Sequence, residues 1–501
     1  MRRSSGNIHG PASWRLDPDF CLVSFWRESA RNQLIYLHRD YNPVKIYTNV
    51  FFARLFVGGT PIYRNIREYL SLWKVSPIRT PLVLRGARQV GKTHSIREFG
   101  RDHFANLVEV NLETNPEFLG CFSSPDAKTI CAQLEAVANA DIRDGETLLF
   151  IDEIQESKAA LLSLRSFKES RPKLHVIAAG SLLEFALQDK NASPFPVGRV
   201  TFAYLQPLSF KEFLGASGEF KLVQMVTAAT VETPCAGSVH QRLLELVRIY
   251  FSLGGMPEVL EVYAGTRSIL EARRVQNRLA TGFVADFSKY GRRYDHRKLQ
   301  QLMNAVPRLV GKKFKYSHVD AETTARDFKL PLLDLERAGL VRLIRASGAN
   351  GIPLGAEERE GVFKVQYLDI GLVMSALGLD LFSQDIEKSL FINEGSLAEQ
   401  FVGQELLASL DPERTPQLFY WMREARGSEA EVDFVIDWRS EAIALEVKAG
   451  TTGRLRSLRQ FMLDKKSRIG VRISQHPLSF IDGVLSVPFY MVSELGRILR
   501  A

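Results

Sequence analysis

Short apolar runs alternate with amphipathic stretches along the first half of the chain. Runs at 81–84, 107–112, 147–151, 174–179 and 200–205 are each bounded by polar or glycine-containing segments. They predict five strands covered on both faces, the pattern of a mainly parallel sheet flanked by helices. The stretch 95–104, after the first run, has helical spacing. Residues 215–238 turn polar and small and read as a connector. Helical periodicity then resumes over 241–263, is interrupted by Gly254-Gly255-Met256-Pro257, and continues over 266–289. Helices are expected at 299–306 and 323–338, the second with Leu330, Leu333 and Leu335 at apolar positions. Two β-like runs, 340–344 and 362–367, flank a loop rich in Gly and Glu, so helices followed by a hairpin suggest a winged-helix-like segment. From Gly395 the expected order is helix 396–410, strands 418–422, 431–436 and 442–447, helix 455–463 and strand 469–473.

The expected fold class is therefore α/β: a core with a five-stranded sheet at 61–215, a helical and winged-helix-like middle segment at 216–385, and a smaller α/β domain at 386–501. Residues 1–60 fit none of these. They carry eight Lys/Arg against four Asp/Glu, half of the net charge of +8 of the 501-residue chain, with weak periodicity. Arg2, Arg3, Ser4 and Ser5 suggest a transit peptide, but Asp17, Asp19 and Glu28 follow closely; a poorly ordered extension is expected, and no chemistry is assigned there. Hydrophobic content of 45% and charged content of 24% are ordinary for a globular protein. The basic excess permits a nucleic-acid partner. Cys21, Cys121, Cys131 and Cys235 are scattered, with no C-x-x-C pair, so a structural zinc site is not expected and a cytoplasmic setting is. No apolar stretch reaches the ~18 residues of a membrane span.

The strongest chemical signal is Gly86-Ala87-Arg88-Gln89-Val90-Gly91-Lys92-Thr93, directly after the first predicted strand. Glycines at both ends let the backbone bend closely around an anion with its N–H groups inward. Lys92 is expected to reach the β- and γ-phosphates of ATP, Thr93 to hold Mg²⁺, and the following helix to present its positive end. The run 147–151 ends in Asp152-Glu153. There Asp152 would serve the magnesium ion, and Glu153 would orient the water that attacks the γ-phosphate. Ser181, closing the strand 174–179 through Gly180, is placed to sense the γ-phosphate. Arg199, just before the last strand, is placed to stabilise the transferring phosphoryl group in cis or from a neighbouring subunit.

Five segments carry a resemblance: Gly-Ala-Arg-Gln-Val-Gly-Lys-Thr (86–93), Leu-Phe-Ile-Asp-Glu-Ile-Gln (149–155), Ala-Gly-Ser (179–181), Gly-Arg-Val (198–200) and Pro-Leu-Ser-Phe-Lys-Glu-Phe-Leu (207–214). With these, the chain from about Ile62 onward resembles prokaryotic AAA-type P-loop ATPases with a C-terminal domain of unknown function of the DUF4143 type. His94 follows Thr93 where such proteins often have Thr or Ser, but Thr93 already supplies the hydroxyl. The resemblance implies a helical lid after the core, with the Gly-Gly-x-Pro break opening its second half.

In the middle segment, Asp334, Glu336 and Pro331 make the candidate recognition helix a poor match to DNA, and a packing role is favoured. The C-terminal α-β-β-β-α-β order resembles the PD-(D/E)xK nuclease fold. Period-two alternation puts Ile443, Leu445 and Val447 on one face and Ala444, Glu446 and Lys448 on the other. Asp433 is expected to bring a second carboxylate and Glu399 a third, making Glu399, Asp433 and Glu446 candidate Mg²⁺ ligands with Lys448 as the activating amine. Two carboxylates ~4 Å apart repel by about 4 kcal/mol at an effective dielectric near 20. Lys448, a bound Mg²⁺ or protonation of one acid must offset this.

These readings lead to an ATPase that uses Mg-ATP binding and hydrolysis to control a nuclease-like domain. The alternative is an ATP-gated protein-interaction switch whose nuclease-like fold is inactive. DNA, a protein partner and a homo-oligomer are each compatible with the sequence.

Overall fold

The computed structural model describes residues 56–57, 60–181, 183, 198–286, 296–322, 325–379, 386–423, 430–450 and 453–500. Nearly all of the expected extension 1–60 lies outside these residues, as does Cys21.

The first sheet consists of β1 (Leu82–Arg85), β2 (Asn106–Asn111), β3 (Thr147–Asp152), β4 (His175–Ala179) and β5 (Thr201–Tyr204). Their order is β2-β3-β4-β1-β5, and every pairing is parallel. The apolar runs of the interior strands β1, β3 and β4 are fully buried because both faces are covered, whereas the edge strands β2 and β5 are only partly buried. Leu82, Leu84, Leu148 and Phe150 join one core cluster, while the alternating Val83, Leu149 and Ile151 join another on the opposite face. Each such buried Leu, Val or Phe contributes about 1.5–3 kcal/mol. In a parallel sheet all carboxyl ends point one way, so the phosphate loop after β1, Asp152 at the end of β3 and Gly180-Ser181 after β4 gather at one edge.

The stretch expected as a connector contains a helix, Phe220–Ala228. The Gly254-Gly255 break proves to be a packing junction. The helix Gly237–Leu253 stops there, and Pro257 opens the helix Pro257–Thr266. Gly254 has φ +72°, and a Cβ on it would lie 1.9 Å from Asp369 Oδ1. Gly255 N donates to Asp369 Oδ2 at 2.6 Å, Leu372 N donates to Oδ1 at 3.1 Å, and Gln404 Nε2 donates to Oδ2 at 3.1 Å. Asp369 is fully buried, and burial pushes its pKa up to about 6. One carboxylate thus joins the Gly254-Gly255 junction, the helix Ile370–Ala376 and the long helix Ile386–Ala408.

The helices His296–Leu309 and Ala325–Arg337 precede the hairpin β6 (Val341–Ser347) and β7 (Glu358–Tyr367), the order expected of the winged-helix-like segment. Leu330, expected on the apolar side, is 53% exposed, because Phe328, Pro331, Leu332 and Leu335 form the inward stripe. The acidic residues are internal partners: Asp334 pairs with Arg337 at 2.6 Å and Glu336 with Arg345 at 2.8 Å.

The C-terminal strands are β8 (Leu418–Met422), β9 (Glu431–Trp438), β10 (Glu441–Val447), β11 (Gly470–Ser474), β12 (Ser479–Ile481) and β13 (Val484–Pro488). With the helices Ile386–Ala408 and Arg456–Lys465 they follow the expected order and add two strands at the end. The hairpin β6-β7 belongs to the same sheet, whose order is β12-β13-β11-β10-β9-β8-β6-β7; β6 pairs in parallel with β8 (Ile344 with Leu418). This sheet crosses the boundary expected at 385/386. It also buries much of the hairpin: Lys364, Val365, Gln366 and Tyr367 are all at most 4% exposed.

Candidate functional site

At the carboxyl edge of the first sheet, the loop after β1 closes around its own backbone. Gly86 has φ +145°, and a Cβ there would lie 2.3 Å from Leu205 O. Gly91, at φ +94°, leads into the helix Lys92–His103. Lys92 is 8% exposed, and its ammonium donates to Gly86 O and Ala87 O, both at 2.9 Å. Burial lowers its pKa to about 8 against the opposing pull of Glu153 and Asp152. The loop is held from outside by Arg64, which donates to Val90 O at 2.8 Å and Gln206 O at 2.7 Å and pairs with Glu212 at 3.0 Å. Sequence reasoning missed Arg64, which precedes the first predicted strand by many residues.

Thr93 Oγ1 donates to Asp152 Oδ2 at 2.9 Å, with Asn111 Nδ2 at 3.4 Å from the same oxygen. Asp152 is 4% exposed, and burial raises its pKa, only partly countered by the Thr93 hydrogen bond. Glu153 sits at φ +50°, and its Oε2 accepts from Gln155 Nε2 at 2.6 Å. Gly180 makes room for that glutamine, since a Cβ there would meet Gln155 Oε1 at 2.3 Å. Gln155 thus holds the Glu153 carboxylate, a contact that the sequence reading did not foresee. Ser181 is buried and accepts from Arg88 Nε at 3.2 Å, while Arg88 also pairs with Asp286 beyond the helix Ile269–Ala285. Gln89 takes φ +65° at the turn of the loop.

A cavity of about 220 Å³ opens beside the loop, lined by Gly86, Ala87, Ser181, Arg337, Gly339 and Arg342 among others. A Cβ on Gly339 would touch Ala87 at 3.3 Å, so the turn before β6 rests on the phosphate loop. Arg199 is placed differently. It precedes β5, and the register Leu82–Thr201 and Arg85–Tyr204 puts it at the amino end of the sheet, more than the length of β1 away from the loop. There it is half exposed and pairs with Glu169 at 3.1 Å. A charge-stabilising role in its own nucleotide site is incompatible with that position.

The donor set suits Mg-ATP. A glycine-bounded cradle that tolerates no Cβ, a buried amine, and a hydroxyl sharing a carboxylate are oxygen and nitrogen groups matched to a phosphate-bound hard cation.

The carboxylates of the second sheet also converge, but around a protein cation. Lys364, on β7 and 2% exposed, places Nζ at 2.8 Å from Glu431 Oε1, 3.1 Å from Glu399 Oε2 and 3.6 Å from Asp433 Oδ1. Burial alone would lower its pKa, but Glu399, Asp433 and Glu431 hold it above the ordinary lysine value. Asp433 Oδ2 accepts from Val447 N at 2.8 Å, and Lys448 pairs with Glu446 Oε1 at 2.5 Å. Burial, with Asp433 close by, raises Glu399 to about 8 and Glu446 to about 7. Glu399, Asp433 and Glu446 are thus brought together as expected, yet they are engaged by lysines and a backbone amide. No group of three or more His, Cys, Asp or Glu among the described residues is arranged to hold a metal ion. The expected Mg²⁺ site does not fit this closed arrangement. Charge is offset chiefly by Lys364, which the sequence reading did not consider. Ala444 joins an apolar cluster with Leu458 and Phe461, and β10 is interior to the sheet, so Glu446 is buried beside Lys448 rather than solvated.

Comparison with protein families gives three matches: an AAA domain (AAA_14) over 79–214, a domain of unknown function (DUF8612) over 244–383, and a domain of unknown function (DUF4143) over 394–491. Lys364 falls in the second segment and the carboxylates around it in the third. A search of curated proteins gives no match. Among solved structures, the ORC1 protein of Aeropyrum pernix in complex with DNA is 12% identical with a TM-score of 0.26, covering 64% of this chain and 92% of that one. The RuvB Holliday junction branch migration motor of Thermotoga maritima is 15% identical with a TM-score of 0.24, covering 56% and 88%. Drosophila ORC bound to DNA is 16% identical with a TM-score of 0.24, covering 69% and 96%. Likenesses of that size fix neither partner nor substrate for this chain. Among the described residues no helix is long and apolar enough to cross a membrane. Residues 79–214, which hold the all-parallel five-stranded sheet, match an AAA domain, and residues 394–491 match a domain of unknown function, DUF4143.

Proposed function

We propose that this protein binds and hydrolyses Mg-ATP at the loop 86–93 and uses the nucleotide state to gate docking through its C-terminal domain. The observation that carries the reading is the convergence of Lys92, Thr93, Asp152 and Glu153 at one sheet edge, with Thr93 and Asp152 already 2.9 Å apart. Gly86 through Gly91 would wrap the phosphates with backbone N–H groups. Lys92, now resting on two carbonyls, would exchange them for phosphate oxygens of higher charge. Thr93 and Asp152 would hold the magnesium ion, which neutralises phosphate charge when bound. Glu153, fixed by Gln155, would orient the attacking water, and Ser181 with Arg88 would contact the γ-phosphate side. Equilibrium dialysis with labelled ATP tests this: Lys92→Ala should abolish retention, and undiminished binding refutes the reading.

The state of the acid cluster favours the switch over the nuclease. Its carboxylates are engaged by Lys364, Lys448 and Val447 N. Purified protein incubated with plasmid, Mg²⁺ and ATP should show no cleavage that Asp433→Ala or Lys448→Ala removes; cleavage lost in both variants would restore the nuclease reading. The turn at Gly339, resting on Ala87 and continuing into β6, supports a direct mechanical link from the phosphate loop to the second sheet. A protein partner, rather than DNA, suits the helix Ala325–Arg337, whose acidic and basic side chains balance and whose Asp334 and Glu336 are internally paired.

A further inference from the structure

From His296 to Val319 the chain carries six basic residues, Arg297, Lys298, Arg308, Lys312, Lys313 and Lys315, and neither Asp nor Glu. Exposed arginines on other helices sit beside carboxylates of their own element, as Arg165 does with Glu169 and Arg274 with Glu271. A solvated face normally mixes the two signs in this way. Lys313 finds its carboxylate on β9, 2.9 Å from Glu431. The other five have none in their own segment. The helix His296–Leu309 also sorts its residues by face. Leu299, Leu302, Met303 and Val306 point into the core, each at most 5% exposed. Arg297, Gln301, Asn304 and Arg308 have i, i+4, i+7, i+11 spacing, which places them within an arc of about 60° on the opposite side, spread over about 16 Å of helix axis. Arg297, Asn304 and Arg308 are exposed and Gln301 is half-buried. Gln301, Asn304 and Arg308 line a hollow of about 240 Å³ shared with His318. Lys312 turns back to donate to Arg308 O at 3.3 Å, and Lys315 lies exposed just beyond.

We propose that the outer face of the helix His296–Leu309 binds double-stranded DNA in the major groove, with Lys312 and Lys315 on the flanking phosphates. The B-form major groove, ~12 Å wide, admits an α-helix, and Arg, Gln and Asn are the side chains whose paired polar atoms match guanine and adenine edges. Duplex RNA hides the same edges in a groove too narrow for side chains. Single strands are held on aromatic platforms, and the stripe has no aromatic residue. A membrane surface would need the apolar face of the helix, which is already spent on the core. This face is separate from the helix Ala325–Arg337, whose charges balance. The proposal depends neither on ATP hydrolysis nor on what docks at the C-terminal domain.

The test is fluorescence anisotropy of a labelled DNA duplex of mixed sequence, about two helical turns long, titrated with the full chain in ATP-free buffer from ~50 to ~300 mM KCl. At the lowest salt the wild type should bind with a Kd of about 10 µM or tighter, and affinity should fall with a log–log salt slope of about −3 to −4, as Arg297, Arg308, Lys312 and Lys315 release counterions. Arg308→Ala combined with Lys312→Ala removes two exposed side chains and should keep the urea midpoint of the wild type. It should weaken binding at least about tenfold and make the slope shallower by about 2. Arg326→Ala combined with Lys329→Ala, on the neighbouring helix, should stay within about twofold of wild type, since neither contacts the duplex. No wild-type binding at the lowest salt, or a loss in the first pair no greater than in the second, overturns the proposal. Equal affinity for duplex RNA of the same length, or for phosphatidylserine vesicles, also overturns it, because the face would then be a general anion patch.

Discussion

Two buried lysines, Lys92 and Lys364, define opposite kinds of site. Lys92 donates to two backbone carbonyls, which are neutral and lose little when a phosphate replaces them as its partner. Lys364 is surrounded by three carboxylates, and no diffusible anion offers it a better environment. The first lysine is poised to be captured by a ligand, while the second is itself the captured ion. Burial therefore marks both positions without distinguishing them, and the charge of the partners decides which site can turn over.

The largest expected effect tests the second lysine. Lys364→Ala leaves buried carboxylates uncompensated and should cost about 3–5 kcal/mol of stability, read from the urea midpoint. A loss below about 1 kcal/mol would mean that the cluster is hydrated and the contrast with Lys92 is false. Lys92→Ala should leave the urea midpoint nearly unchanged but lower ATP turnover by about 100-fold or more, since it removes a desolvated cation from the phosphates.

Titration sharpens the same contrast. Lys92 has a pKa lowered to about 8 in the unliganded protein, and a bound triphosphate would hold it protonated. ATP affinity should therefore fall above pH ~8, by up to about tenfold per pH unit. A flat profile to pH 9.5 in dialysis would show that Lys92 is not the group bound. In the acid cluster the sign concerns stability. Glu399 is raised to about 8 from 4.5, so its protonated form is favoured in the folded protein. Its contribution is fully present below pH 4.5 and is lost as pH rises through about 8. Glu399→Gln should flatten the fall of the urea midpoint across that window. The smallest expected effect is at Arg199. Its exposed pair with Glu169 should be worth under about 1 kcal/mol, and Arg199→Ala should not alter ATP retention by dilute protein. Loss of turnover that appears only as protein concentration rises would assign Arg199 to a neighbouring subunit.

The first site was largely legible because its chemistry is local in sequence. Eight consecutive residues form the loop, and the apolar run before Asp152 is long enough to mark a buried strand whose end must meet that loop. The five strands of the first sheet fall within two residues of the expected bounds, and the interior three, covered on both faces, write themselves as nearly uninterrupted apolar runs. The second site was half legible. Alternation in 442–448 located Glu446 and Lys448, and the element order located Glu399 and Asp433. Lys364 was missed because it lies 35 residues before Glu399, in a hairpin whose membership in the C-terminal sheet depends on the long-range pairing of β6 with β8. A signal did exist: Lys364 and Gln366 share a strand face in the stretch Phe363-Lys364-Val365-Gln366-Tyr367, where polar groups beside so many apolar neighbours imply buried partners. Gly254-Gly255 was visible as a break, but its cause, the approach of Asp369, requires the folded junction.

The contrast between the two lysines is tested most directly by counting Mn²⁺ ions on the wild-type chain with and without ATP. One ion per chain should appear only when ATP is present and should vanish in Lys92→Ala. An ion bound without ATP, and removed by Asp433→Asn, would contradict the assignment of one site to a ligand and the other to Lys364.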